Sequence, residues 1–527
     1  MTRSTRLRHQ PPPLAARQGR HALYVHWFQN IAIGFAIELC VLALHHWAPG
    51  VLAPIESFAF DRMMAIHAVI DPAPPNGHIP PQQIFVNVDD ATWRSKEWGG
   101  GEPYRAPREA MLRLIETAFN HGAHQVVLDV LVEGDSIARL PEQQEDQQFA
   151  QGLQRLLSNK NFGAGKQLVL VRSVRRPLTQ LVLKGNQLTT LPYPALSEIR
   201  ESPAVDKVVK NSDMQIVLAT PYFVYSTDRV LRDWQLLKAV CQRNAQGSQG
   251  TVQVVPSVQL LVVARYIGVP ADKMPNPTKG ECTPFPRQML VEPPQMSTLE
   301  DQQRAIEEQA HTALTGFWTE LQAAVLRETA DGPYRGIDIG KAAFDEHALS
   351  NRVIFRSGAN LQSNTYFNQV SARALLDGSL DEQGLNKLFS GRVTVIGQSY
   401  VEAGDQHYTP MGQMPGSVVL LNAIDSMVRY PLIQPLDIKI ELVLSLLLII
   451  VVGGVFARWN SAMGPLISTA LALPVLAIIS FYCFAYGVWL DFALPLIGIL
   501  IHREIKAFEE RVELRKLARE VGDKHPH

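Results

Sequence analysis

Apolar runs crowd toward the two ends of this chain and leave a long polar stretch between them, which limits the fold more than any other feature. A helix that crosses the roughly 30 Å hydrocarbon core of a bilayer needs about 20 predominantly apolar residues. Residues 27–47 have that length and are interrupted mainly by Glu38. Three more runs follow late in the chain. Residues 438–456 are purely apolar from Leu442, residues 465–484 end near a tight turn at Tyr486 and Gly487, and residues 488–501 form the last. Four transmembrane helices are therefore expected, over 25–47, 438–457, 464–484 and 487–502.

Charge orients them. Arg3, Arg6, Arg8, Arg17 and Arg20 precede the first run, Arg458 follows the second, and His502, Arg503 and Lys506 follow the last. Cytoplasmic flanks carry the excess of Lys and Arg, and four crossings put all three groups on one side. Residues 1–24 and 503–527 are then cytoplasmic, and 50–437 form a domain outside the cytoplasm. A cleaved signal peptide is the alternative for the first run, but the run is long and no small-residue cleavage site clearly follows it. Carboxylates inside such runs are functional-site candidates by default. Asp491 falls near the outer interface, while Glu38 reads as a polar contact between helices or as part of a proton or ion path.

The tail spaces Ile505, Phe508, Val512, Leu514 and Leu517 among charges, close to an amphipathic helix period. It can extend the last membrane helix, pair with another copy in a homo-oligomer, or lie on the lipid. It is too short for a kinase, cyclase or phosphatase, so output is expected to pass through a cytoplasmic or membrane protein partner. A formal net charge of −1 gives no reason to expect a nucleic-acid partner. Four cysteines are too few for a disulfide scaffold. Cys40 and Cys483 fall in apolar runs, whereas Cys241 and Cys282 lie in the polar middle and can pair if that middle is outside the cytoplasm.

Within 50–437, residues 84–89 (IFVNVD) read as a buried strand, 108–121 as a helix through Met111, Leu112, Ile115 and Phe119, and 125–132 (QVVLDVLV) as a second strand. A strand, helix, strand order over this length builds parallel sheets. Residues 168–172 and 392–397 offer further strands. The expected fold is thus an α/β extracytoplasmic domain with a mostly parallel sheet, plus an α-helical transmembrane bundle of four helices. The middle, 141–331, is enlarged. Residues 141–166 read as a polar surface excursion and 269–294 as a proline-rich loop. Residues 297–329 read as a helix opened by a capping box of Ser297 and Glu300.

In open α/β sheets, ligands bind outside the carboxyl ends of the strands. Asp89 and Asp90 follow the first strand, Asp129 lies within the second, and Asp405 and His407 follow the strand at 392–397. These five are the candidate ligand-binding residues. Carboxylate and imidazole also suit a metal or acid–base chemistry. The favoured reading of 405–416 is a structural loop, with Asp405 capping amides, Pro410 and Pro415 stiffening the turn and Gly416 adopting an unusual backbone angle. No Gly-rich phosphate loop, Ser-His-Asp order or zinc spacing stands out, so no catalytic residue, metal or cofactor is assigned and no enzyme is expected. Trp93, Trp98 and Tyr104 can stack on a sugar or pack against the middle, with packing favoured.

Four stretches carry a family resemblance: FDRMM at 60–64, IFVNVDDATW at 84–93, YRAPREAMLRLIETAFNHGAHQVVLDVLV at 104–132 and RVTVIGQSYVEAGDQHYTPMGQMPGSVVLLNAIDSM at 392–427. The last is the most specific, with a V-x-V-I-G strand, then D-x-H-x-T-P, then M-P-G and a helix. The chain resembles CHASE2 domain proteins, in which an extracytoplasmic sensor module is followed by three transmembrane helices. The resemblance implies a multi-pass protein of the bacterial inner membrane with its large domain in the periplasm or outside, feeding a cytoplasmic kinase, cyclase or similar output. No such output domain is apparent in these 527 residues. The reading is a sensor or signal-input subunit acting through a partner. The alternative is a structural component of a cell-envelope secretion or polysaccharide-export complex, and an ectoenzyme ranks last.

Overall fold

The structure is a computed structural model that describes residues 14–70, 82–101, 106–130, 140–163, 165–172, 174–175, 180–184, 187–191, 197–199, 202–226, 228–243, 250–266, 281–282, 352–358, 367–429, 433–459, 463–491 and 493–523. The chain divides into two compact units, Met1–Ile70 with Gln434–His527, and Asp71–Ile433.

The second unit is organised by a six-stranded sheet. Its strands are β1 (Gln83–Val88), β2 (Gln125–Asp129), β3 (Gln167–Val171), β4 (Ile216–Ala219), β5 (Phe367–Ser371) and β6 (Val393–Gln398), in the order β5-β1-β6-β2-β3-β4. Every pairing is parallel. Strands buried on both faces read as continuous apolar runs rather than alternating ones, and β1, β3 and β6 do. On one face Ile84, Val86, Val126, Leu128, Leu168 and Leu170 form a single core with helices Arg108–Asn120, Leu140–Leu157, Pro203–Lys210, Ala372–Leu376 and Glu382–Phe389. Helix Gly416–Arg429 packs on β6 and on helix Val258–Tyr266, which itself packs on β3.

One expectation about the enlarged middle changes. Residues 140–157 are a core helix rather than a surface excursion, because Phe149, Leu153 and Leu156 fall at helical spacing and are buried. Glutamines on the other positions mask that stripe. Gly152 lets the helix close on its neighbour, since a Cβ there would sit 2.3 Å from Leu112 Cδ1. A buried ion pair, Arg108 with Asp146 at 3.2 Å, ties the same two helices.

A second, five-stranded sheet also fills the middle, in the order Glu281–Cys282, Gly250–Pro256, Leu237–Arg243, Ser197–Ile199, Val174–Arg175. Cys241 and Cys282 lie on strands separated by Gly250–Pro256, opposite Val252 and Gly250 of that strand. The helix expected at 297–329 and all but 281–282 of the loop at 269–294 lie outside the described residues.

The first unit is helical. Among the described residues three helices are long and apolar enough to cross a membrane, with spans Tyr24–Leu44, Lys439–Arg458 and Leu466–Ala485. The run expected as a fourth crossing is divided. Val488–Trp489 pairs with Gln434–Pro435 as a short parallel ladder, and a helix then runs from Ala493 to Asp523. The charged tail thus extends this last helix, one of the three arrangements open to it.

Helix Pro49–Ile70, in a stretch read from sequence as outer domain, belongs to this helical unit. Its Phe60 is buried against Phe484 and Trp489, with ring centroids at 5.3 and 5.0 Å. Small residues bring the long helices together. A Cβ on Gly34 would meet Ile449 Cγ2 at 2.8 Å, one on Gly453 would meet Ile31 Cγ1 at 3.1 Å, and Trp27 Nε1 donates to the Ile450 carbonyl at 3.1 Å.

Candidate functional site

The connections leaving β1 and β2 lead to helices Arg108–Asn120 and Leu140–Leu157 in the core of one face. The connection leaving β6, which lies between them, leads to helix Gly416–Arg429 and its neighbour Val258–Tyr266. Chain direction therefore diverges at the carboxyl end of β6, and such switch points open the crevice in which α/β sheets bind ligands.

Asp129 ends β2, paired in register with Gly397 of β6. After β6 the chain makes a 3-10 turn at Val401–Ala403, reverses at Gly404 with φ 69°, and forms a hairpin of Gln406–Thr409 and Gly412–Pro415. The hairpin carries His407 back toward the helix start, where the Gly416 amide donates to the Asp405 carbonyl at 3.0 Å.

Four side chains on these elements, with one from elsewhere, form two hydrogen-bonded groups, Ser417 with Asp129 and His407 with Asp405 and Tyr225. Ser417 Oγ donates to Asp129 Oδ2 at 2.6 Å. His407 Nε2 lies 2.7 Å from Asp405 Oδ1. His407 Nδ1 is hydrogen-bonded to the hydroxyl of Tyr225, on strand Phe223–Tyr225. With Nε2–H donated to the carboxylate, a neutral ring accepts from Tyr225 at Nδ1, and an imidazolium donates to it. The Asp405 side chain and Tyr225 both keep more than two-fifths of their surface open to solvent.

Two glycines make this approach possible. A Cβ on Gly397 would lie 1.9 Å from Ser417 Oγ, and one on Gly416 would lie 2.3 Å from Asp405 Oδ2. Gly416 is thus required for space and not for backbone angle, a correction to the sequence reading. The left-handed glycines of this loop are Gly404 and Gly412.

Desolvation at the strand end, then the negative charge of Asp405, push the Asp129 carboxyl up to about 7, against the opposing effects of the Ser417 hydrogen bond and His407. Near neutral pH Asp129 is therefore divided between its protonated and ionised forms. Asp405 lies over the first residue of a 14-residue helix, whose amino end favours negative charge.

The helix is held from behind by its own polar residues. Asn422 Oδ1 accepts from the amides of Arg356 and Ser357 at 2.9 and 3.0 Å, and Ser426 Oγ accepts from Ile354 at 2.9 Å. The Arg356 guanidinium meets Asp425 at 3.3 Å with both side chains buried. Side chains of the NAIDS stretch thus take the place of a neighbouring strand for the extended segment 352–358. That fixes where Ser417 presents its hydroxyl.

Of the five residues picked from sequence, Asp129, Asp405 and His407 converge here. Asp89 is turned to its own chain, where its carboxylate caps helix Asp90–Trp93 by accepting from Thr92 N at 2.8 Å and Thr92 Oγ1 at 2.7 Å. Asp90 sits in the first turn of that helix. Trp98 is buried and Trp93 stacks on Tyr400 with ring centroids 5.4 Å apart, so both pack, while Tyr104 lies outside the described residues. Ser417 and Tyr225 were not picked. Ser417 had a signal in its position after M-P-G, but Tyr225 stands 182 residues from His407 with no pattern linking them. Among the described residues no group of three or more His, Cys, Asp or Glu side chains is arranged to hold a metal ion.

The parallel α/β sheet with this site belongs to a chain that also carries helices long and apolar enough to cross a membrane, before and after it. A family model for the CHASE2 domain matches residues 36–455, and the chain belongs to that family. No curated protein and no solved structure gives a match.

Proposed function

We propose that the chain is the signal-input subunit of a membrane receptor, binding a small polar ligand in the crevice of Asp129, Asp405, His407, Ser417 and Tyr225 and acting through a partner protein. The observation that carries this reading is the convergence of those side chains at the switch point of the sheet. Two carboxyls, one of them partly protonated near neutrality, with an imidazole and a phenol suit a ligand rich in hydroxyl or amino groups. The role is binding rather than turnover. Four crossings, including 487–502, would place the domain in the periplasm of a bacterial inner-membrane protein, a layout supported by the Lys and Arg flanks.

A ligand shifts a two-state equilibrium only by its differential affinity for the two states, and about 1.4 kcal/mol of it moves the populations tenfold. The continuous helix Ala493–Asp523 is the element that can carry such a shift to a partner. Gentle purification of the full-length protein from its native membrane, with mass spectrometry of what accompanies it, tests this. A kinase, cyclase or regulator is expected, and its loss on deleting 505–527 would assign the contact to the tail. A lone, monodisperse chain would overturn the reading. Secretion or polymer-export subunits would instead favour a scaffold role, the alternative supported by the second sheet in the enlarged middle.

A further inference from the structure

The helical unit contains a small cavity with a few polar groups in its wall that the sensory reading does not use. It has a volume of about 40 Å³ and lies between helices Leu14–Trp47, Ile438–Arg458 and Ala493–Asp523. Apolar groups and glycines supply most of its wall, with Asn30, Glu38, Ser445 and His502 as the polar members. One water needs roughly 10–15 Å³ measured this way, so the space admits more than one.

Glu38 is the unusual member. It falls within the span Tyr24–Leu44, where an ionisable group is costly unless it meets a partner, water or an ion. Among the described residues it makes no hydrogen bond and no ion pair. The packing places it. Gly34 faces Ile449 and Gly453 faces Ile31, which sets an antiparallel register putting Ser445 level with Glu38. Gly498 faces Ile37, which brings the amino end of helix Ala493–Asp523 to the same level. Two helical turns away, roughly 12 Å along the axis, His502 Nε2 lies 3.2 Å from Asn30 Oδ1. Those two are bonded to each other, whereas Glu38 and Ser445 make no hydrogen bond among the described residues.

We infer that this cavity is an intramembrane binding site for a small monovalent cation, a proton or a sodium ion, with Glu38 as its acidic ligand and Ser445 as its hydroxyl ligand. A carboxylate supplies the charge, the hydroxyl supplies a second oxygen, and water fills the remaining positions. The size excludes an organic ligand. The titratable groups in the wall are Glu38 itself and His502; helix Ile438–Arg458 contributes Ser445 and apolar or glycine surface, and Glu56, Asp61 and Arg62 of helix Pro49–Ile70 do not line the cavity.

The test is labelling of the full-length protein in native membrane vesicles with dicyclohexylcarbodiimide, a hydrophobic reagent that modifies protonated carboxyls, with the site read by mass spectrometry. Glu38 is expected to be labelled at low pH, and Glu38→Gln to abolish that adduct. Labelling should slow at least fivefold as pH rises. Slowing by sodium chloride at fixed pH, absent with potassium chloride at equal ionic strength, identifies sodium as the cation; insensitivity to sodium together with slow labelling in Ser445→Leu identifies the proton. Ser445→Leu, which fills the cavity with an apolar group, should slow labelling about tenfold while the vesicles retain normal amounts of protein. Failure to label Glu38 at any pH would overturn the inference. So would labelling indifferent to pH and sodium, or labelling as fast in Ser445→Leu, which would put the carboxyl in lipid.

Discussion

Replacing Asp129 by Asn removes one proton-binding group and changes little else, so its effect on stability against pH follows from the site. An ordinary Asp titrates near 3.8, and in the folded chain Asp129 is pushed up to about 7. The native state therefore binds the proton more tightly than the unfolded state. By linkage, the carboxyl's favourable contribution is full below pH 3.8, falls as pH rises, and is gone above about 7.

The gap from 3.8 to about 7, at ~1.36 kcal/mol for each pH unit, sets a ceiling of about 4 kcal/mol. Solvent at the strand end screens the site and reduces this to roughly 2 kcal/mol. Asn cannot ionise, yet its Oδ1 can still accept from Ser417. Asp129→Asn is therefore expected to exceed the wild type in stability by about 2 kcal/mol at pH 8, with the advantage shrinking steadily toward pH 4. Denaturant unfolding of the full-length protein in detergent, followed by tryptophan emission that includes the buried Trp98 and Trp234, measures it. Equal pH dependence in variant and wild type would refute a desolvated Asp129 and with it the electrostatic account of the crevice.

Other substitutions test the frame. Asn422→Ala leaves the amides of Arg356 and Ser357 without their acceptor, and at about 1–3 kcal/mol for each buried orphan it should cost roughly 2–6 kcal/mol in the same unfolding assay. Gly397→Ala drives a methyl into Ser417, so a loss of about 1–3 kcal/mol is expected together with a changed pH slope, because the Ser417 bond to Asp129 is broken. With native cysteines replaced by Ser, an impermeant thiol reagent on intact cells should label Gln413→Cys and spare Ser4→Cys and His525→Cys. Labelling of His525→Cys would mean an odd number of crossings.

The legible parts of the fold were those where one physical signal dominates. Strands β1, β2 and β6 announce themselves as short, nearly unbroken apolar runs, and helix Arg108–Asn120 by its periodic apolar face. Helix Leu140–Leu157 was missed because its apolar stripe of Phe149, Leu153 and Leu156 is thin against many glutamines. Strand β5 (FNQVS) is an edge strand with polar residues on it, and nothing local distinguishes it from a loop.

At the site, position after a strand identified Asp129, Asp405 and His407, since β-strand ends in a parallel sheet are brought together by topology alone. The same rule over-reached at Asp89, where Thr92 three residues on offers a local partner that wins over the crevice. Tyr225 arrives from the enlarged middle, and Gly397 and Gly416 matter through what a methyl would strike. Neither is visible without the third dimension.

The central claim is that the crevice binds a polar ligand through Asp405 and His407. Thermal unfolding of the full-length protein in native-lipid particles, with panels of amines, amino acids, polyols and sugars, tests it most directly. A ligand at 100 times its Kd stabilises the state it binds by about 2.7 kcal/mol, enough to move the midpoint by a few degrees. At least one of these classes is expected to raise the midpoint of the wild type and to leave Asp405→Asn and His407→Gln unmoved. A shift of equal size in both variants, or no shift with any class, would contradict the assignment.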